Sequence, residues 1–455
     1  MKSLVLSLFF LPSVLFSQNN DSLVLKKIYN FYLTQSKCYS NLEFLTTKIG
    51  GRLTGSAEAE KAVAWAKKAM YEAGADTVIL QPCMVPHWVR GKKEKCILTS
   101  PKTKALPLNC VALGSSVGTG NTGLSAAVIE VKSFDQLKAL GEKNIRGKIV
   151  FYNVFFDQSL INPGQAYGAT VQYRSRGASY AAKYGAVAVV VRSMTSLADD
   201  EPHTGNMNYD TSLSKSRIPA FALGYQSASR LSDAIRNESG VKLYLESHCQ
   251  TLKDVLSYNV VGQINGSEKP GEFLIAGGHL DSWDTGQGAH DNGTGIVQSI
   301  ELLSLFKTLG IKPKHSIRAV AFMNEENGLA GSRAYAGFAE ANKEKHLAAL
   351  ETDAGGFTPR GFGIDTTGGL YNQVIKWKDL FSPYHLSRFE KGGGGADLSS
   401  LKKSGVACIG FEPDGQRYFD IHHTAQDTFD KVNKRELELS AAAIGALIYL
   451  LDTYK

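Results

Sequence analysis

Downstream of position 252 the chain alternates between two hydrophobic periods. Glu272–Gly278 (EFLIAGG) is a short apolar run, and Gly293–Leu309 repeats its apolar residues at helical spacing. Ser316–Met323 (SIRAVAFM) is a second apolar run, Gly328–Asn342 is helical again, and His346–Thr352 is a third run. Short apolar runs separated by amphipathic helices are the pattern of βαβ units. This half therefore predicts an α/β fold with a mostly parallel central sheet and helices on both faces. A helix around Tyr371–Leu380, a strand at Val406–Phe411 and a closing helix from about Lys434 to Tyr454 extend the same plan. Upstream, the segment between Gly55 and Gly74 predicts a helix with Ser56 as cap and Gly74 as stop. Between about Val111 and Cys249 the texture changes to short apolar runs at Ala126–Val131, Lys148–Val154, Ala186–Val191 and Ile218–Leu223, with a helix at Ala169–Tyr184. That stretch predicts a compact α/β or β-rich insertion.

The first residues, Met1-Lys2-Ser3, precede an apolar run from Leu4 to Phe16 and then Ser17-Gln18-Asn19-Asn20. One early positive charge, an apolar run too short to span a bilayer and a small residue before a polar segment predict a secretory signal cut after Ser17. No later stretch offers 18 consecutive apolar residues. The expected mature product is soluble, without a membrane anchor, and secreted or periplasmic. The expected division is a signal at 1–17, a main domain at 18–110 and 250–455, and an insertion at 111–249.

At 455 residues, 43% hydrophobic and 20% charged, the composition is that of a globular protein and excludes general disorder. The net charge of +7 is spread out, and the short runs at Lys92, Lys93 and Lys95 and at Lys402 and Lys403 read as solvated faces, so no nucleic-acid partner is expected. The six cysteines lack any CxxC spacing, which excludes a zinc-thiolate site. Export would permit disulfides among them, in pairings that spacing does not assign.

In open α/β sheets ligands bind beyond the carboxyl ends of the strands. The first run ends in Gly277-Gly278-His279-Leu280-Asp281, the second in Met323-Asn324-Glu325-Glu326 and the third in Glu351-Thr352-Asp353. The run at 406–411 leads to Asp420-Ile421-His422-His423-Thr424, and Asp291 opens the helix after the first run. Each group has an ordinary explanation when taken alone. His279-x-Asp281 suits a surface pair, Glu325-Glu326 a helix start, and Asp291-Asn292-Gly293 a turn. Their convergence on one sheet edge points to cations instead. Imidazole and carboxylate ligands without thiolates suit zinc, or cobalt or manganese, in a hydrolytic site holding two divalent ions.

The segments GGHLDSWDTGQGAHDNGTG (277–295), FMNEENGLAGSRAY (322–335), ETDAGGF (351–357), GGGGADLSSL (392–401) and PDGQRYFDIHHTAQDTFDKV (413–432) resemble the zinc-dependent exopeptidases of the co-catalytic aminopeptidase type, the M28 peptidases. Within them the chain is most similar to the plasma glutamate carboxypeptidase, or carboxypeptidase Q, branch of dipeptidases. IRGKIVFYNV (145–154), YRSRGASYAAKYGAVAVVVRS (173–193) and SRIPAFALG (216–224) resemble a protease-associated domain in the insertion.

The resemblance implies that Asp291 bridges two metal ions, that His279 and Asp353 complete one, and that Glu326 and His423 complete the other. His423 is chosen over His422 because the family places its ligand directly before Thr. It further implies Glu325 as general base and Asp281 as the acceptor that orients the His279 ring. Three ligand carboxylates against four positive charges would leave net positive charge for a hydroxide and an oxyanion. The implied substrates are dipeptides or short peptides, and the implied assembly is a homodimer.

Other expectations compete with this. An aminopeptidase on longer peptides, a glutaminyl-cyclase-like enzyme and a non-catalytic binding protein could each use such a scaffold. A serine hydrolase is suggested only by Gly114-Ser115-Ser116-Val117-Gly118, which lacks the strand before and helix after that a nucleophile elbow needs.

Overall fold

The computed structural model describes residues 12–365 and 369–455. Most of the expected signal, positions 1–11, lies outside the described residues, and a helix runs Pro12–Gln35. Two eight-stranded sheets organise the chain. The first has the spatial order Thr77–Val89, Gln250–Ile264, His315–Phe322, Lys269–His279, Lys345–Glu351, Cys408–Pro413, Pro359–Asp365, Arg388–Lys391.

Its four middle strands run parallel. All eight residues of His315–Phe322 are buried, as expected of a strand covered on both faces. Side-chain alternation divides each such strand between two cores. Leu274, Ala276, Ile317 and Ala319 join Ile296, Ile300 and Leu447 on one face. Ile275, Val320 and Phe322 join Tyr335, Ala339 and Leu401 on the other. Burying a Leu, Ile or Phe in this way contributes about 1.5–3 kcal/mol. The closing helix spans Lys434–Tyr454 as expected; it is apolar and long enough to cross a membrane, but it is mostly buried in the first of these cores.

The flanks make the sheet mixed rather than uniformly parallel. Thr77–Val89 pairs antiparallel with Gln250–Ile264, which pairs antiparallel with His315–Phe322, and Pro359–Asp365 is antiparallel to Cys408–Pro413. Neither of the two long strands was anticipated. Thr77–Val89 contains Pro82 and Pro86, which read against a central strand, but it forms the sheet edge, where a missing N–H costs little.

The second sheet has the order Leu106–Leu108, Lys95–Thr99, Lys242–Glu246, Leu124–Val131, Ile149–Tyr152, Ala188–Arg192, Ala220–Leu223, Cys110–Ala112. It takes in strands from Lys95 onward, ahead of the texture change near Val111. The expected helix at Ala169–Tyr184 is two pieces, Pro163–Ser175 and Gly177–Ala182. They part where Gly177 packs on the Tyr152 ring so closely that a Cβ would lie 2.8 Å from it. The helix expected near Tyr371–Leu380 is likewise divided, into Leu370–Val374, Ile375–Trp377 and Lys378–Phe381. All six cysteines are free thiols.

Glu301 lies in the helix Thr294–Thr308, 2% exposed, and its Oε1 accepts a hydrogen bond from the Lys37 amide at 3.1 Å. Burial pushes its carboxyl up to about 7; Glu438 adds to the shift and Lys37 opposes it. The folded value exceeds the ordinary one of about 4.3, so the folded state retains a proton that the unfolded chain releases. The stability it contributes is complete below about pH 4.3 and is lost as pH rises through about 7. Glu301→Gln is expected to remove this slope and to stabilise the fold by about 1–3 kcal/mol above neutrality. Urea unfolding at about pH 5 and about pH 8 would read it. An unchanged slope in the variant would show that the carboxyl titrates normally.

Candidate metal centre

The carboxyl ends of the parallel strands bring the expected residues to one place. His279 is the last residue of Lys269–His279, and Asp291 sits in the turn Ala289–Gly293 that leads into Thr294–Thr308. The approach of that turn to the neighbouring strand explains two glycines. A Cβ at Gly278 would lie 2.8 Å from Asn292 Nδ2, and one at Gly295 only 2.2 Å from the Thr352 carbonyl. Asn292 ties the parts together by donating from Nδ2 to the Thr352 carbonyl at 2.8 Å and accepting at Oδ1 from the Gly295 amide at 3.0 Å.

Asp291 offers one oxygen to each of two imidazoles. Its Oδ1 lies 3.1 Å from His279 Nε2 and its Oδ2 lies 3.2 Å from His423 Nε2. Asp353 Oδ1 is 3.2 Å from His279 Nε2, and Glu326 Oε2 is 3.2 Å from His423 Nε2. His279, Asp291 and Asp353 are thus clustered closely enough to share one ion. His423 and Asp291 form a second such cluster, which also includes His422. Of the two histidines, His422 is the farther from Asp291 Oδ2, at 3.7 Å, and its ring stacks on His423 with centroids 3.6 Å apart. His423 has φ +62° and Asn324 φ +73°, left-handed conformations that non-glycine residues adopt at a cost and that cluster at functional sites.

The donor set fits divalent cations. Burial opposes charge on His279 and His423. Asp353 and Asp291 nevertheless raise His279 well above its ordinary value, and Glu326 and Asp291 raise His423 to about 10. Burial, with Asp291 beside it, pushes Glu326 up to about 7. Glu326 Oε1 is buried without a hydrogen-bond partner among the described residues. Crowded carboxylates with an unsatisfied buried oxygen are what a bound cation would relieve.

Glu325, half-buried, lines a cavity of about 280 Å³ together with Asp291, Glu326 and Asp353. Burial raises its carboxyl well above the ordinary range; Asp353, Glu326 and Asp291 add to this and His279 opposes it.

Asp281 departs from expectation in the atom it uses. His279 Nδ1 is 2.9 Å from the main-chain carbonyl of Asp281, whereas the Asp281 carboxylate is 4.0 Å away. The carboxylate instead accepts from the amides of Asn324 at 2.7 Å, Glu325 at 3.1 Å and Glu326 at 3.3 Å. Two residues along an extended chain bring a carbonyl as close to the imidazole as a side chain would come, and the adjacent turn has three amides in need of an acceptor. Asp281 therefore orients the ring through its backbone and fixes the Glu325-Glu326 turn through its side chain.

The sequence did not single out Asp427 or Arg52. Asp427 accepts from the amides of His290 at 2.7 Å and Asp291 at 3.1 Å, holding the turn that carries Asp291. Arg52, fully buried, donates to the carbonyls of Leu280, Gln287 and Gly288. Asp427 lies within the 413–432 segment, so it could have been noticed; Arg52 stands in Gly50-Gly51-Arg52 with no periodic or spacing signal. Ser116 of the G-x-S-x-G match donates to the Val117 carbonyl and accepts from the Ala220 amide, a structural role.

Residues 259–448 match the model of peptidase family M28. The chain is 34% identical to mouse (Mus musculus) carboxypeptidase Q over 92% of its length and 86% of the relative's, and 34% identical to the human (Homo sapiens) protein over 92% and 85%. It superposes on a peptidase M28 precursor from Shewanella amazonensis with TM-score 0.90 and 32% identity, covering 96% of this chain and 97% of that one. A zinc aminopeptidase from Bacillus subtilis shares the fold, with TM-score 0.66 and 21% identity over 90% and 94%. The chain belongs to peptidase family M28. It is a zinc metallopeptidase, similar to carboxypeptidase Q.

Proposed function

We propose that this enzyme is an exopeptidase for free dipeptides and short peptides, working with two divalent ions, zinc by preference. The observation that carries this is the placement of Asp291, with one carboxylate oxygen toward His279 and the other toward His423. His279 and Asp353 would hold one ion, Glu326 and His423 the other, with Asp291 common to both.

Ions bound there supply a Lewis acid for the scissile carbonyl and lower the pKa of water. Glu325 takes the proton of the attacking water and returns it to the leaving amine. Asp281 keeps the Glu325-Glu326 turn and the His279 ring in place. The second sheet is proposed as a protease-associated domain, and the segment 1–17 as a signal for export to the periplasm or medium.

A purified sample offered free, N-blocked and C-blocked dipeptides, with metal content measured alongside, tests the proposal. Free dipeptides are expected to be cut fastest, by protein holding about two ions per chain. Faster cleavage of long or blocked peptides would favour an aminopeptidase or endopeptidase in its place.

A further inference from the structure

We propose that Cys96 and Cys110 are joined by a disulfide in the exported protein, a bond that closes the seam where the two ends of the second sheet meet. The inference rests on the export reading above for its oxidising surroundings, and on nothing in the peptidase reading.

The second sheet begins with Leu106–Leu108 and ends with Cys110–Ala112, and only Asn109 separates these strands along the chain. The sheet therefore curls until its first and last strands meet. Cys110–Ala112 pairs with Ala220–Leu223, and no backbone ladder joins it to Lys95–Thr99 among the described residues. Side chains span the seam instead. Glu94 Oε1 accepts from the Ala112 amide at 2.9 Å, and Arg90 donates from Nη1 to the Ala112 carbonyl at 2.6 Å.

The register puts both sulfurs on one side of this seam. Cys96 stands opposite Leu108 in the antiparallel pairing of Lys95–Thr99 with Leu106–Leu108, so their side chains share a face. Two residues further along, Cys110 returns to that face. Cys96 and Leu108 are buried in one apolar cluster, and Cys110 packs against it while remaining partly exposed. A hydrogen bond links the two thiols, and this contact, ahead of burial, pushes the Cys110 thiol well above its ordinary value. By contrast, the thiols of Cys38 and Cys408 are turned to the main-chain carbonyls of Val297 and Val406.

Oxidation needs a disulfide, of a small molecule or of a protein, as the oxidant. The partly exposed Cys110, as thiolate, attacks one sulfur of that oxidant and releases the other as a thiolate. Cys96 then attacks the Cys110 sulfur and releases the second. The protons of Cys96 and Cys110 pass to the two departing thiolates, so two protein thiols are oxidised as one disulfide is reduced. A thiol held protonated supplies little thiolate, and the exchange is expected to be slow without a catalyst.

The test maps the full chain by mass spectrometry after alkylation in denaturant, both as recovered from cells that express it with its own leader and after incubation of purified protein in a glutathione redox buffer. Of the six cysteines, Cys96 and Cys110 should resist alkylation until reductant is added, with their peptides linked, while the other four are labelled directly. In Cys110→Ser, Cys96 should be labelled without reductant. A cross-link closing a loop of about 15 residues restricts the unfolded chain, so a phosphine reductant should lower the melting temperature of oxidised wild type by about 3–8 °C and that of Cys110→Ser by less than about 1 °C. Free Cys96 and Cys110 after the redox buffer, or a link from either to Cys249, would overturn the inference, and this mapping needs no variant to fold. Protein exported with its leader removed but with both thiols free would overturn it while leaving the export reading intact. Protein that keeps its leader and is reduced in the cell, yet forms the bond in the buffer, would remove the export reading and leave the pairing standing.

Discussion

Glu325→Gln is expected to lower kcat by about 10²–10⁴-fold, the usual contribution of a general base, while metal content stays as in wild type. The substitution keeps the size of the side chain and its capacity to hydrogen-bond, and removes only the ability to take a proton. The turn that carries it should survive, because its amide donates to Asp281 Oδ1 and needs nothing from the side chain. Both glutamates line the cavity, but Glu325 is half-buried, whereas Glu326 is buried with Oε2 on His423 Nε2. Steady-state kinetics with elemental analysis would check this. A variant that keeps its rate, or that loses metal with it, would remove Glu325 from the role of base.

The cluster was legible because the expected ligands lie at, or in the loops that follow, the carboxyl ends of parallel strands, where chain order translates into position in space. His279, Glu326, Asp353 and His423 come from four segments; the rule about strand ends brings those segments together, and the family resemblance picks these residues from their neighbours. What stayed hidden depends on contacts that no local pattern encodes. Thr77–Val89 is a strand because Gln250–Ile264 pairs with it, despite two prolines. The break between Pro163–Ser175 and Gly177–Ala182 depends on the Tyr152 ring, which belongs to a different strand. Asp281 stands beside the His279 ring, but the oxygen it turns to that ring is its carbonyl and not the carboxylate expected, since spacing fixes how near a residue is and not which of its oxygens is used.

Removing the metal with a chelator is expected to abolish peptide hydrolysis, and zinc, cobalt or manganese should restore it. Asp291, Glu326 and Asp353 crowd about two imidazoles, so without cations their mutual repulsion is met only by protons. The same argument predicts a lower melting temperature for the metal-free protein, because ions that bind only the folded state stabilise it by mass action. Glu326→Gln tests this one ligand at a time. It takes one anionic oxygen from the His423 side and leaves His279, Asp291 and Asp353 as they were, so one ion should be held at least about 10-fold more weakly and the other normally. Activity should then be low at limiting metal and recover in part as metal is added, a titration that Glu325→Gln should not show. Dialysis followed by elemental analysis would count the ions retained. If Glu326→Gln kept two ions and full rate, or if the wild-type protein remained active after every ion had been removed, the ligand assignment would fall, because the unpaired Oε1 of Glu326 would then have some other partner than a metal.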